Sequence, residues 1–290
     1  MHPVHPPRSN EEVLRLVGDI PPFPRVVDRL VERVKDPHAT MTELAEIISV
    51  DPALSAYVLR MANSPLYRRG YAAAVTLTVS RALHILGRRA LESVVLSYAL
   101  KSLLRPSSLV ESLLWEHCVA VAVAASEIIR RVHSKQMETA YVCGLLHDVG
   151  KVILNARFPD PMRAIIQDQY NDNWEPGNQP SVVLEKDRMG VDHCQVGAVA
   201  LDVWQCGEEA VLSCAYHHRP RDAARRSILP TVVRMADLVA QKLEYGPVRR
   251  PELDLSAVQR AIKAADKDFT ALLEGVQARV QEVLQLFGDP

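Results

Sequence analysis

The chain has 290 residues, 48% of them apolar and 24% charged, with a formal net charge of −1. This is the mix of a globular protein with ample material for a core, and it provides no global field to attract nucleic acid or a membrane surface. Five cysteines (Cys118, Cys143, Cys194, Cys206, Cys214) form no CxxC pair and sit in apolar contexts. They read as reduced packing residues of a cytoplasmic protein. The start "MHPVHPPRSN" lacks an apolar signal region, and no run reaches the ~18 uninterrupted apolar residues of a membrane span.

Apolar residues recur at i, i+3, i+4 with almost no period-2 alternation, which predicts an all-α fold. Ser9 with Glu12 forms a capping-box pattern. After the "PPFP" turn, Val26, Val27, Leu30, Val31 and Val34 make one helical stripe. Thr40 with Glu43 is a second capping box, and Asp51-Pro52 is an N-cap followed by proline at N1. The helix striped by Leu54, Val58 and Met61 should end at "NSP", because Ser64 precedes a proline. Two helices flank Gly87 and complete a first helical lobe at about Leu104. "RPSS" at 105–108 is the predicted seam. Beyond it, helices are predicted at 111–133, 137–156, 182–189, 192–205, 208–217 and 228–243, with a polar loop at 171–181. A last pair at 252–264 and 268–287 closes the chain.

The second half carries the chemistry. "GLLHDVGKVIL", residues 144–154, sets His147, Asp148 and Lys151 inside an apolar pattern, and a buried charge there needs a partner. Other helices contribute His117, His193, His217, His218 and Asp237. Imidazoles and carboxylates converging from several helices suit a divalent transition metal. Lys151, about one turn beyond the dyad, could hold a phosphate beside such an ion. A single histidine in an apolar helix is more often a satisfied core or surface residue, and His38, His84 and His133 read that way. Arg219, Arg221, Arg225 and Arg226 read as a solvated loop, and Arg88-Arg89 and Arg130-Arg131 as exposed helix faces.

The order His117, His147-Asp148, Asp237 resembles the ligand set of the HD superfamily of metal-dependent phosphohydrolases. His193 and His217-His218 resemble the extra histidines with which HD-GYP proteins hold further metals. More specifically, "IPPFPRVVDRLVERVKDPHATMTELAEIISVDPALSAYVLRMANSPLY" is similar to the opening of an HDOD domain, an HD-related output domain of bacterial signalling proteins. "VTLTVSRALHILG" and "GLLHDVGKVIL" continue the resemblance in order. It implies a two-lobed helical HDOD fold over residues 15–245, with lobes at about 15–104 and 108–245, between an N-terminal tail (1–14) and a C-terminal helical tail (246–290).

The resemblance also implies a regulatory module acting by contacts with other signalling proteins or with its own copies, with an iron or manganese ion held by His117, His147, Asp148, Asp237, His193, His217 and His218. The alternative is a phosphohydrolase acting on a nucleotide or cyclic dinucleotide, with Lys151 as the phosphate contact. Against cyclic-di-GMP hydrolysis, the chain reads "RPRDAARRSILP" after His218, without the GYP motif. A third reading takes "TELAEIISVDPALSAYVLRMAN" as a helix-turn-helix. Its second helix offers Arg60 as the lone cation, so specific DNA binding is not expected.

Overall fold

The computed structural model describes residues 9–18, 20, 22, 25–64, 67, 78–104, 108–171 and 180–287, and every regular element among them is helical. The "PPFP" turn, the "RPSS" seam and the 171–181 loop lie mostly outside these residues. Helix α1 (Asn10–Val17) opens on the Ser9/Glu12 capping box. It packs against helices of the second half, and Arg157 there donates to the carbonyl of Val17.

Helices α2 (Arg25–Lys35), α3 (Met41–Ser49) and α4 (Pro52–Asn63) surround α5 (Val79–Leu104). The caps at Thr40 and Asp51 form as the sequence predicts, and Ser64 ends α4. Val27, Leu30, Leu44, Ile48, Leu54, Val58 and Met61 of these helices are buried in the apolar core, which continues without a break into the second half of the chain. Gly87 breaks α5 into two helical segments. Arg88, which follows it, corrects one reading. It is half-buried, not an exposed face, and its guanidinium donates to the carbonyls of Val34 (3.0 Å), Asp36 (2.9 Å) and Ala39. It thereby satisfies carbonyls left open at the end of α2.

The second half is built around α6 (Leu109–Val132), which starts on a capping box between Ser108 and Glu111. Among the described residues, α6 is the one helix long and apolar enough to cross a membrane. Yet 83% of its apolar window is buried inside the protein, where α7 (Met137–Leu146), α13 (Leu229–Lys242) and α15 (Asp266–Phe287) cover it. A helix apolar on all sides is what a core position requires. Its "AVAVAA" run keeps side chains small, so α7 comes close enough that a Cβ on Gly144 would lie 2.7 Å from the Val121 carbonyl oxygen. The far end of α6 is tied to α15 through Glu127, which accepts from Arg130 (2.7 Å) and forms an ion pair with Arg279.

The remaining helices are α8 (Val149–Arg157), α9 (Pro159–Asn171), α10 (Ser181–Met189), α11 (His193–Val203), α12 (Glu208–Tyr216) and α14 (Ser256–Ala261). Two differ from the sequence reading. Helix α9 fills the stretch between the predicted helix ending at 156 and the predicted loop at 171–181, for which no element is predicted; Pro159 takes the first helical position, where proline is tolerated. The single helix predicted over 137–156 is instead two, α7 and α8, broken at His147-Asp148.

Candidate metal centre

The break sits at the dyad. His147 ends α7 with helical angles, and Asp148 leaves the helix at φ −106°, ψ 15°, before α8 starts at Val149. In an unbroken helix, neighbouring side chains diverge by about 100°. The break instead lets both His147 and Asp148 face one pocket. Side chains from α6, α11, α12 and α13 enter the same pocket, so all seven residues singled out from the sequence as metal ligands come together.

Asp148 stands at the centre. Its Oδ2 lies 3.6 Å from His117 Nε2, 3.4 Å from His147 Nε2 and 2.6 Å from Lys151 Nζ. Its Oδ1 lies 3.2 Å from His193 Nε2 and 3.7 Å from His217 Nε2. His117 Nε2 is also 3.5 Å from Asp237 Oδ1. His193 Nε2 lies 3.1 Å from His218 Nε2 and 3.4 Å from His217 Nε2. The carboxylate of Asp148 therefore bridges two groups, His117/His147 on one side and His193/His217 on the other.

The imidazoles are aimed by what their other nitrogens touch. His117 Nδ1 faces the Tyr245 carbonyl at 3.2 Å, and His147 Nδ1 faces the Gly144 carbonyl at 2.7 Å. His217 Nδ1 lies 2.9 Å from the Cys214 carbonyl. His193 Nδ1 lies 2.6 Å from Glu185 Oε2, which also accepts the His193 backbone N–H at 2.8 Å. Such partners place the proton on Nδ1 and leave Nε2 free as a donor to an ion. Asp237 is oriented in the same manner, accepting from Arg234 (2.7 Å) and Gln241 (2.8 Å).

Burial is nearly complete: His147 and His193 are 0% exposed, His217 and Asp148 1%, Asp237 3% and His117 5%. Burial and the neighbouring Lys151 push His147 down to about 4, although Asp148 opposes this. Burial and the facing imidazoles hold His217 and His218 well below the usual histidine range. Asp148 is also buried, yet His147 and Lys151 beside it hold its carboxyl well below the usual carboxylate range. Burial likewise opposes a charge on His193, but Cys194 and Glu185 outweigh it and raise this one imidazole. The lowered imidazoles of His147, His217 and His218 and the ionised Asp148 are in the protonation states a metal requires, whereas His193 has to release a proton to bind one.

Two atoms test the fit of a metal directly. His147 Nε2 and Asp148 Oδ1 are buried and have no hydrogen-bond partner. Leaving such groups unpaired costs roughly 1–3 kcal/mol each. His147 Nε2 faces the His117 side of Asp148 and Oδ1 the His193/His217 side, and a cation bound on each side would satisfy them, so the donor set fits a metal.

The structure also shows what the sequence reading missed. Lys151 does not stand free as a phosphate contact; the residue is buried and its ammonium is paired with Asp148. Glu185 in α10 was passed over because "VVLEKDRM" looks like an ordinary solvated helix. Cys194, read as a packing residue, has its Sγ 3.4 Å from His193 Nε2. The glycine of "HDVGK" has a packing reason: a Cβ on Gly150 would overlap the His193 carbonyl, so α8 can meet the first turn of α11 only without one. As expected, His38, His84 and His133 are exposed and stand outside the cluster, and Arg219, Arg221, Arg225 and Arg226 are exposed.

His193 is the first residue of α11, fixed there by a capping box in which Asp192 accepts from the Gln195 N–H at 2.9 Å. Asp192 also pairs with Lys186 at 2.9 Å. Asp192→Ala is expected to lower stability by ~1 kcal/mol and to weaken metal binding as well, since the cap sets the direction of His193. Titration of the variant with a divalent ion, beside a denaturant melt, checks both. Unchanged affinity would show that Glu185 alone orients the imidazole.

Comparison with known proteins agrees with this architecture. A curated, uncharacterised protein of Treponema pallidum (strain Nichols) is 22% identical over 249 residues, which are 84% of this chain and 47% of that protein, so the chain spans about half the length of this relative. Among solved structures, a candidate phosphohydrolase from Shewanella amazonensis SB2B superposes with a TM-score of 0.72 at 23% identity, covering 95% of this chain and 98% of the other. A candidate signal transduction protein from Marinobacter aquaeolei VT8 gives 0.73 at 19% identity, covering 98% of this chain and 62% of the other. At these identities the likeness is one of fold. The sequence matches the HDOD domain over residues 20–220, a span that ends before α13 and holds every candidate ligand except Asp237. With that match over more than half of the chain, and this helical architecture, the chain belongs to the HDOD domain family.

Proposed function

We propose that this protein is a signalling-type, HD-related regulatory module with a closed metal centre that stabilises the second lobe and does not turn over phosphodiesters. The observation that carries this reading is the burial of the ligands. Catalytic metal sites keep a coordination position open to water and substrate, whereas structural sites are closed. Here His117, His147, Asp148, His193, His217 and Asp237 are each at most 5% exposed as whole residues. The Lys151 ammonium, which could otherwise meet a phosphate, is spent on Asp148. The output is then protein contact, with other signalling proteins or with a second copy as partner. DNA is not a fitting partner, because Leu54, Tyr57, Val58 and Met61 of α4 are buried core residues and the helix cannot turn that face to bases.

One observation favours a second reading. His218 is half-buried where the other ligands are closed off, so the cluster has an edge toward solvent. A divalent ion reachable from that edge would supply an activated water and polarise a phosphoryl oxygen. The test is hydrolysis of cyclic-di-GMP, other cyclic nucleotides and bis-p-nitrophenyl phosphate with manganese or iron supplied anaerobically. We expect bound metal without robust turnover. Turnover that disappears in Asp148→Ala would overturn the regulatory reading and establish a phosphohydrolase.

A further inference from the structure

We infer that Cys194 is a metal ligand, and that the pocket holds two ions of different character on either side of Asp148. The inference deepens the metal-centre reading and rests on it. His193, Cys194, His217 and His218 each offer one donor atom, and these four atoms lie within 4.8 Å of one another. His117, His147 and Asp148 form a separate group that meets the same criterion.

The spacings in the first group match a four-coordinate site. Ligands at ~2.0–2.1 Å (nitrogen) and ~2.3 Å (sulfur) in a tetrahedron stand about 3.3–3.6 Å apart. Around His193 Nε2 the observed separations are 3.1 Å to His218 Nε2, 3.4 Å to His217 Nε2 and 3.4 Å to Cys194 Sγ. No cysteine here is in a disulfide, and Cys194 is buried with its sulfur turned to the imidazoles.

The two groups differ in chemistry. Three imidazoles and a thiolate are a borderline-soft donor set, suited to zinc or its spectroscopic substitute cobalt. The group with His117, His147, Asp148 and nearby Asp237 is richer in carboxylate oxygen and suits a harder ion such as manganese or ferrous iron. On binding, the thiol proton leaves to solvent and the thiolate sulfur donates to the ion, with no redox step. A site with four protein ligands has no position left for substrate. It instead clamps the start of α11 to the end of α12, which agrees with a structural role.

Cobalt(II) titration of the metal-free, full-length protein tests this. The expected result is a thiolate-to-cobalt charge-transfer band in the near ultraviolet, with intense visible bands of tetrahedral cobalt. Cys194→Ser should abolish the charge-transfer band and weaken that site by roughly 10–100-fold, while circular dichroism and the other group's metal binding persist. Cys206→Ser, at a buried thiol outside both groups, should keep the band. Cobalt bound without a thiolate band, or a band that survives Cys194→Ser, would overturn the inference while leaving the metal centre standing. Failure to bind cobalt, manganese or iron at all would remove the metal-centre reading itself.

Discussion

Asp148→Ala is expected to cause the largest loss of stability of any single change in the pocket. Its carboxylate touches Lys151 at 2.6 Å and lies within 3.7 Å of four imidazole nitrogens, from His117, His147, His193 and His217. Alanine leaves the Lys151 ammonium buried and unpaired, a fault worth ~3–5 kcal/mol. For a chain of this size that corresponds to a drop on the order of 10 °C in melting temperature. Loss of the ion adds to this, because ligands drawn from separate helices are not assembled in the unfolded chain and binding energy becomes folding energy. The two parts can be separated. Adding Lys151→Met to Asp148→Ala removes the stranded charge and should recover much of the first part. It should recover none of the metal-dependent part, which a chelator removes from the native protein. If Asp148→Ala melts within a degree or two of the native protein, with metal and without, the centre has no structural role.

Gly150→Ala is expected to disrupt the site without touching a ligand. In an exposed helix this change would stabilise by up to ~1 kcal/mol. Here the new Cβ would overlap the His193 carbonyl oxygen and lie 2.7 Å from that carbonyl's carbon and 2.8 Å from Gly197 N. These are backbone atoms and cannot rotate away, so α8 and α11 must separate. The cost belongs at the upper end of the ~1–3 kcal/mol typical of overpacking. The separation also draws His193 away from Asp148, now 3.2 Å distant, so metal affinity falls together with stability. Gly275 in α15 is the matched control. A Cβ there meets nothing within 4 Å, and Gly275→Ala should be neutral or stabilising. Equal stability for the two variants would show that the α8–α11 approach is loose enough to take a methyl group.

Local signals proved legible where they act locally. The caps at Ser9, Thr40 and Asp51 each involve a side chain and a backbone N–H three positions away, so nothing distant can override them. The helix break at His147-Asp148 is different. Nearly every residue from Ala140 to Leu154 is buried, so the apolar pattern runs through the dyad without a seam. Glu185 could not be recognised from its own segment, since it gains its role from His193 eight positions on, and Cys194, although it adjoins His193, is set apart from the other cysteines only by His217 and His218, which the fold brings near it. Arg88 looked like a surface cation because its partners, the carbonyls of Val34, Asp36 and Ala39, lie about fifty residues earlier in the chain.

By itself the sequence determined the helical class, most helix boundaries and the inventory of candidate ligands, because periodicity, caps and residue chemistry are written in short windows. Only the tertiary structure decided how those ligands are used. Packing of α6 on α7 and of α8 on α11 sets His117, His147 and His193 around one carboxylate. It also turns Lys151 inward to Asp148 and brings Cys194 up to the imidazoles. The contacts of Asp148 with His117, His193 and His217 join segments far apart in the chain, set by close backbone approach at Gly144 and Gly150, and no local pattern encodes a distance between two helices.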